Sequence, residues 1–473
     1  MTRRVMFKEI LENLLSLRFV LSLVLVICLF AASGFVFVGK FAEQSADYWA
    51  ETNRNLSALR EECSNALYRA AFYRQTIWRE PKLLSLCAEG FEKSLPNCIR
   101  SDAFASDLPQ VKGRGNFAFP HFSDIDWVFI ISTVLSFVAL ALTYDSMSGE
   151  REAGTLRLML ANTIPRYKVL LGKYFGAMFT LAIPLIVGLL VCLIIVIPSK
   201  DVTIDAAAWL KILAVAILSL LYLSIFVFLG MFISSRSAHS SNCMVLLLMV
   251  WVVLVILLPG GGRIFAEISS QSPTQVELER RLDEVGKEIW DNCEKFGKNA
   301  GYMSSDPNSP RNNPPARARL KTALTNAANQ VRDDHHNRLL AQALTGRNLT
   351  CISPVAIYAR ASELIAGTGI NRCADIYQQV REYQTALREY VRTKDLEDPA
   401  SLHLVNPELS ATRYWRAISH NPVDFDTVPK FQERNLGLGQ SLQLAIWDIG
   451  LLALFNIVFF TASFVSFLRY DVR

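Results

Sequence analysis

No G-x-x-x-x-G-K-[ST] phosphate loop occurs in this 473-residue chain; Gly172-Lys173 is followed by Tyr174 and lacks the upstream glycine. The chain is therefore not expected to hydrolyse ATP by itself, because that loop is what cradles the phosphates. H-E-x-x-H and G-x-S-x-G are also missing, which argues against metalloprotease and serine hydrolase chemistry. C-x-x-C spacing is absent, against a zinc site or a thioredoxin-like motif. No low-complexity tract or internal repeat is apparent. Charge is scarce as well: 19% of residues are charged and the mean hydropathy is +0.25, too apolar for an ordinary soluble protein of this length.

What the chain has instead is apolar residues in long runs. Phe19 to Val38 and Cys243 to Leu258 approach the roughly 20 helical residues that cross a hydrocarbon core. Six spans are predicted near 18–40, 125–144, 170–197, 207–233, 243–260 and 442–468. The runs lack the alternation of barrel strands, and a helix satisfies its own backbone in lipid. The expected fold is an all-α integral membrane protein: a six-helix transmembrane bundle with two mainly helical extracytoplasmic insertions, residues 41–124 and 261–441. Residues 1–17 form an interfacial helix, 145–169 a cytoplasmic loop, 170–260 hold the third to fifth spans, and 469–473 are a cytoplasmic tail.

Orientation follows from basic residues, which favour the cytoplasmic side. They concentrate at Arg3, Arg4, Lys8 and Arg18, at Arg151, Arg157, Arg166, Lys168 and Lys173 between the second and third spans, and at Arg469 and Arg473; Lys200 stands beside Asp201 and Asp205. Both termini are thus expected inside. The net charge of +5 is explained by this topology rather than by a basic stripe with aromatics, so no nucleic acid partner is expected and contact with anionic lipid is. Cys63, Cys87, Cys98, Cys293, Cys351 and Cys373 all fall in the two outer segments. That even number fits up to three disulfides in an oxidising compartment, with free thiols as the alternative.

Arg3-Arg4 before an apolar stretch raises the possibility of a twin-arginine export signal. Glu9 and Glu12 interrupt it, and the apolar run exceeds a signal core of about 7 to 15 residues, so an anchor is expected. Phe7, Ile10, Leu11, Leu14 and Leu15 share one helical face, opposite Lys8, Glu9, Glu12 and Asn13, as suits a helix in the inner interface.

Within the large insertion, Thr274 with Glu277 forms a capping box ahead of Leu278, Leu282, Val285, Ile289 and Cys293 at helical spacing. A second helix carries Leu320, Leu324, Ala327 and Val331, with a loop over Ser304 to Pro315 before it. A third shows Ile376, Val380, Tyr383, Leu387 and Tyr390 as a short heptad seam, read as intradomain packing. Asp333, Asp334, His335 and His336 are adjacent and point in different directions, which favours a solvated helix face over a metal site. Asp448 and Asn456 in the sixth span are costly in lipid and either line a path or join helices. Gly172 and Gly176 give a G-x-x-x-G packing pair, and Gly260 to Gly262 end the fifth span.

The most informative stretch is Asp145 to Tyr174, D-S-M-S-G-E-R-E-A-G-T-L-R-L-M-L-A-N-T-I-P-R-Y-K-V-L-L-G-K-Y. A short helix is predicted over Glu150 to Leu160, with Leu156 and Leu160 on one face and Glu150, Arg151, Glu152 and Arg157 able to meet a partner. Pro165 stops it before the third span.

The stretch resembles the type-2 ABC transporter permease family, whose members carry an acidic residue, then E-x-E-x-G-T-L, then P-x or P-R, a leucine pair and G-K. The matching positions are Asp145, Glu150, Glu152, Gly154, Thr155, Leu156, Pro165, Arg166, Leu170, Leu171, Gly172 and Lys173. Phe467 to Arg473 is similar to the tails of the subgroup with large extracytoplasmic insertions, which includes permeases related to gliding and copper-enzyme maturation systems. The outer insertions lie outside the resemblance.

The resemblance implies a permease subunit in the bacterial cytoplasmic membrane, paired with itself or a paralogue. Its short inner helix would dock onto a cytoplasmic ABC ATPase dimer, with Arg151 among the contacts. ATP and Mg would be bound in that partner, and this chain would need no cofactor or metal of its own. Export or extraction of a substrate is one expectation. Rearrangement of the outer domain without translocation, acting on an extracytoplasmic partner, is the other. A membrane-anchored sensor without an ATPase is a third.

Overall fold

The structure is a computed structural model and describes residues 2–90, 92, 96–111, 125–155, 165–200, 202–260, 274–304, 306, 309–406 and 416–469. Six helices in it are long and apolar enough to cross a membrane. They are α2 (Leu17–Asn65), α4 (residues 127–143, wider-wound over Ile130–Leu135), α6 (Arg166–Val196), α7 (Ala206–Arg236), α8 (Ser240–Gly260) and α13 (Leu438–Leu468). The all-α membrane bundle expected from the apolar runs is what forms. Alternating direction puts α1 (Thr2–Leu14), the short α5 (Ser148–Glu152) and the last turn of α13 at one end, called here the motif end. The large insertion joins α8 to α13 at the other, the domain end.

The first span outruns its expected limit. From Lys40 to Asn65 there is neither glycine nor proline, so nothing interrupts helical hydrogen bonding, and α2 continues for 49 residues out of the bundle. Its far end buries Leu59 and Cys63 in the core of a domain that lies outside the bundle at the domain end, called here the outer domain for that position alone. At the near end Ser16 accepts a hydrogen bond from the Phe19 amide at 3.2 Å, capping α2 and separating it from α1.

A second departure concerns α11 (Pro354–Ala366), assigned by sequence to the outer segment. Its Ile357, Tyr358, Ala361 and Ile365 belong to the core of the bundle itself, packed against α7 and α13. Tyr358 stacks on Tyr222 with ring centroids 4.5 Å apart and bonds Ser219 at 2.8 Å. Ser353 donates to the Leu254 carbonyl in α8 at 2.7 Å, and Arg360 grips Asp448 of α13, its Nε lying 2.8 Å from one carboxylate oxygen. Thirteen residues are too few to span a bilayer, so a search for crossings passes over this helix; runs of about 10 to 14 are more often buried or re-entrant. Its stop is local: Gly367 adopts φ +76°, and its amide returns to the Glu363 carbonyl.

The outer domain is mainly helical, with α3 (Leu67–Phe72), α9 (Gln275–Asp291), α10 (Pro314–Leu349) and α12 (Ile370–Asp395). A small antiparallel pair, β1 (Gln75–Trp78) and β2 (Cys98–Ser101), was not foreseen in the first insertion. Thr274 accepts from the Glu277 amide at 3.2 Å and starts α9 as expected. Along α12, Ile376, Val380, Tyr383 and Leu387 are buried with Leu59 and Ile77, so the heptad seam serves intradomain packing.

Two expectations for this domain are overturned. His335 and His336 are buried rather than solvated, because α9 and α12 cover that face of α10; His336 stacks on Tyr377, and Asp333 accepts from Tyr377 Oη at 2.6 Å. Among the described residues no group of three or more metal-ligating side chains gathers here or elsewhere. The six outer cysteines are also all free thiols. Cys63 sits in the core of the outer domain, Cys87 in the bundle core, Cys373 against Ile370, and Cys293 beside Leu320. Helix packing has distributed most of them among separate apolar clusters. Burial pushes the Cys87 and Cys373 thiols up, away from the reactive thiolate.

Candidate functional site

At the motif end a chain of alternating charges runs through three helices. Lys8 of α1 lies 3.1 Å from Glu150, and Glu150 lies 3.0 Å from Lys173 of α6. Lys173 also pairs with Glu9, back on α1. Lys173 is 2% exposed, so its ammonium depends on both carboxylates to offset lost hydration. Burial pushes the Glu9 carboxyl above its ordinary range even with Lys173 beside it. Burial alone would lower Lys8, but the carboxylates of Glu150, Glu12 and Glu9 together outweigh it and the pKa rises.

The glycine pair on α6 makes this approach possible. A Cβ at Gly172 would lie 2.9 Å from Val5 Cβ, and one at Gly176 would lie 2.7 Å from Glu9 Cβ. The two glycines thus seat α1 against α6. Phe7 and Leu11 stay exposed on α1, as does Leu15 just past its end.

The motif segment is fastened at further points. Asp145 Oδ2 accepts from Arg18 at 2.7 Å, and the Arg18 guanidinium also lies over the Tyr144 ring. The amides of Met147 and Ser148 both donate to Ser234 Oγ of α7 at 3.0 Å. Glu152 accepts from the Ser240 amide at 3.0 Å and the Ser240 hydroxyl at 2.8 Å, so a carboxylate closes the N-terminus of α8. Arg151 is exposed. Thr155 Oγ1 donates to the Glu150 carbonyl, and Gly154 takes φ +70°, a backbone that only glycine enters without strain. Helix α5 ends at Glu152, earlier than predicted, while Leu156, Arg157 and Leu160 lie outside the described residues.

Pro165 sets the start of α6, and Arg166 donates to the carbonyls of Phe467 and Leu468 at 3.3 and 2.6 Å. Those carbonyls end α13, where a cation is favoured. Of the tail only Arg469 is described. Asp448 is engaged by Arg360, and Asn456 donates to the Leu221 carbonyl at 3.0 Å, so both join helices.

The sequence model described as ABC-2 family transporter protein matches residues 4–472. The chain belongs to the ABC-2 transporter family. It is similar to the probable ABC transporter permease protein NosY of Pseudomonas aeruginosa, 30% identical over 127 residues that make up 26% of this chain and 45% of that protein. NosY of Stutzerimonas stutzeri is 40% identical over 55 residues, 12% of this chain and 20% of that one. The chain thus spans less than half the length of the curated relatives it matches. Both relatives are described as probable ABC transporter permease proteins.

Sequence reasoning missed the intramolecular partners of the motif segment: Lys8, Arg18 and Ser240 on its carboxylates, Ser234 on its backbone amides, and Glu9 on Lys173. One available signal was Glu9, a carboxylate between Met6 and Ile10 on the same side of α1 as Val5. A charge there needs a buried counter-charge, and Lys173 beside Gly172 supplies it.

Proposed function

We propose that this subunit lies in a bacterial inner membrane with its motif end in the cytoplasm, and that it couples ATP hydrolysis by a separate ATPase dimer to export or extraction of a substrate. The observation that carries this reading is the convergence on residues 145–152: Arg18 of α2, Lys173 of α6, Ser234 of α7 and Ser240 of α8 all bond to it. A push on this segment is delivered to four spans together. A second permease, itself or a paralogue, would complete the transporter. ATP and Mg belong to the partner in this reading, and the chain itself performs no catalysis.

Two features favour the second reading, in which the work is rearrangement of the outer domain. Helix α2 runs unbroken from Arg18 to the outer core, and α11 hangs from that domain into the bundle. Motion of the spans would reach the outer domain through both.

The coupling test targets exposed Arg151, because Glu150 and Glu152 hold the segment in place. The tagged chain should co-purify in mild detergent with an ATPase, and Arg151→Glu should reduce that recovery at least tenfold while the chain stays monodisperse. Failure of the wild type to recover an ATPase, in a procedure that preserves a known ABC complex, rejects the coupling. Bridging Ser219→Cys on α7 and Tyr358→Cys on α11 with a short bifunctional thiol reagent, because the lost phenol ring leaves too wide a gap for a disulfide, then separates the readings. Loss of ATP-dependent change in outer-domain protease cleavage, with substrate movement intact, supports a mechanical role for α11.

A further inference from the structure

At the domain end a cavity of about 570 Å³ opens between α2, α7, the start of α13 and the edge of the outer domain. Phe41, Tyr48, Leu84, Leu436 and Leu444 form part of its wall, and Lys211 reaches it from the second turn of α7. The size falls within the roughly 300–1,000 Å³ of small-ligand sites.

The depth of the cavity is marked by tryptophans. Trp49 of α2 is on its wall, Trp209 and Trp447 are exposed two and three residues along α7 and α13 from the lining residues Lys211 and Leu444, and indoles at such positions favour the level of lipid headgroups. Lys211 lies five residues from the start of α7, roughly 8 Å along the helix. The cavity therefore meets the boundary between headgroup and acyl chain.

Its charges are mostly consumed. Glu433 takes Lys82 at 3.0 Å and Arg372 at 2.8 Å, Glu363 takes Arg347 at 2.7 Å, and Arg434 takes Glu382 at 2.5 Å. Asp205 caps α7 by accepting from the Ala208 amide at 2.8 Å, and Asp375 accepts from Gln379 at 2.7 Å. Lys211 is the exception. It is 8% exposed and donates to the Leu436 carbonyl at 2.9 Å, and among the described residues no carboxylate lies within ion-pair distance of it. A buried ammonium with two of its three donors unspent calls for an anion.

We propose that this cavity binds the phosphate-bearing headgroup of a bilayer phospholipid from the leaflet on the domain side. The phosphate meets Lys211, and the acyl chains leave past Phe41 and Leu444. Wall and cation fit an amphiphile better than a small soluble anion, since the apolar residues would gain nothing from inorganic phosphate. The site is at the opposite end of the bundle from Glu150 and stands independently of ATPase coupling.

The test uses the full-length chain in detergent and native mass spectrometry, with dioleoylphosphatidylglycerol, dioleoylglycerol and glycerol phosphate as probes. One phosphatidylglycerol should remain bound at collision energies that strip the other two. Lys211→Gln should weaken its retention at least tenfold. Ala207→Trp fills the cavity while keeping the lysine, and should do the same, so a folding defect in the first variant leaves the second to decide. Equal retention of dioleoylglycerol would overturn recognition of phosphate, and equal retention of glycerol phosphate would overturn the lipid as its source. Wild-type retention in folded Ala207→Trp would overturn the location.

Discussion

Tyr358 lies flat against Tyr222, their rings inclined by 20°, and joins the outer insertion to the middle of α7. Both side chains are fully buried, and Tyr222 Oη donates to the Ser132 carbonyl at 2.9 Å. A single stack thus ties together α4, α7 and a helix that belongs in sequence to the outer domain. Buried aromatic pairs of this kind contribute about 0.5–1.5 kcal/mol beyond the area they bury.

Replacing Tyr358 by alanine should therefore lower stability by about 3–5 kcal/mol, the range for truncating a large buried aromatic. Tyr358→Phe keeps the stack and loses the bond to Ser219, at a cost of about 1 kcal/mol. Thermal unfolding of the purified chain in one detergent orders the two. Equal melting points for Tyr358→Ala and wild type would mean that α11 does not hold the bundle.

Removing Lys173 leaves buried Glu9 without its cation, and leaves Glu150 with Lys8 alone. Lys173→Met is expected to cost about 3 kcal/mol or more. Adding Glu9→Gln should return part of it, since the stranded carboxylate is then replaced by a neutral amide. The double mutant compared with each single one measures the coupling; simple additivity would dissolve the charge chain.

Arg360 and Asp448 are a mutual pair between α11 and α13. Asp448→Asn should loosen α11, raising the access of a cysteine placed at Ile357 to a water-soluble maleimide severalfold. Replacing both charges with leucine should restore protection, because an apolar pair has no desolvation penalty. Unchanged labelling in Asp448→Asn would show that the apolar contacts of α11 suffice.

His336 is held neutral in the outer domain, its pKa lowered by burial to about 4, with Asp333 only partly opposing. In the unfolded chain it takes up a proton near pH 6.5, so between about 6.5 and 4 the unfolded state binds more protons than the native one. Its contribution to stability is present above that window and falls as the pH drops through it. Outer-domain proteolysis should accelerate from pH 7 to pH 5 in the wild type, and less steeply in His336→Phe. Identical pH profiles would remove His336 as a source of acid sensitivity.

Glu433 works in the same direction at lower pH. Burial would raise it, but Arg372 and Lys82 hold it below its usual range, so the ion pairs it makes outlast those of an ordinary carboxylate as the pH falls. Acid loosening near neutrality thus belongs to His336 rather than to this cluster.

Six apolar runs, the caps at Thr274 and Pro165 and the heptad along α12 were legible because each depends on residues near one another in the chain. Helix hydrogen bonds and lipid partition act over one element at a time, so periodicity and composition suffice to announce them. The Glu150 to Lys173 motif was legible as a pattern, and its family follows from it. Its geometry was not. That Glu150 binds Lys8 and Lys173, that Glu152 closes α8, and that Gly172 and Gly176 admit α1 depend on which faces meet after the helices pack. Helix α11 shows the limit most clearly: Pro354 and Gly367 bound it locally, yet its place against Tyr222, Leu254 and Asp448 was decided only when the spans left a space on the domain side that an apolar, thirteen-residue helix fills.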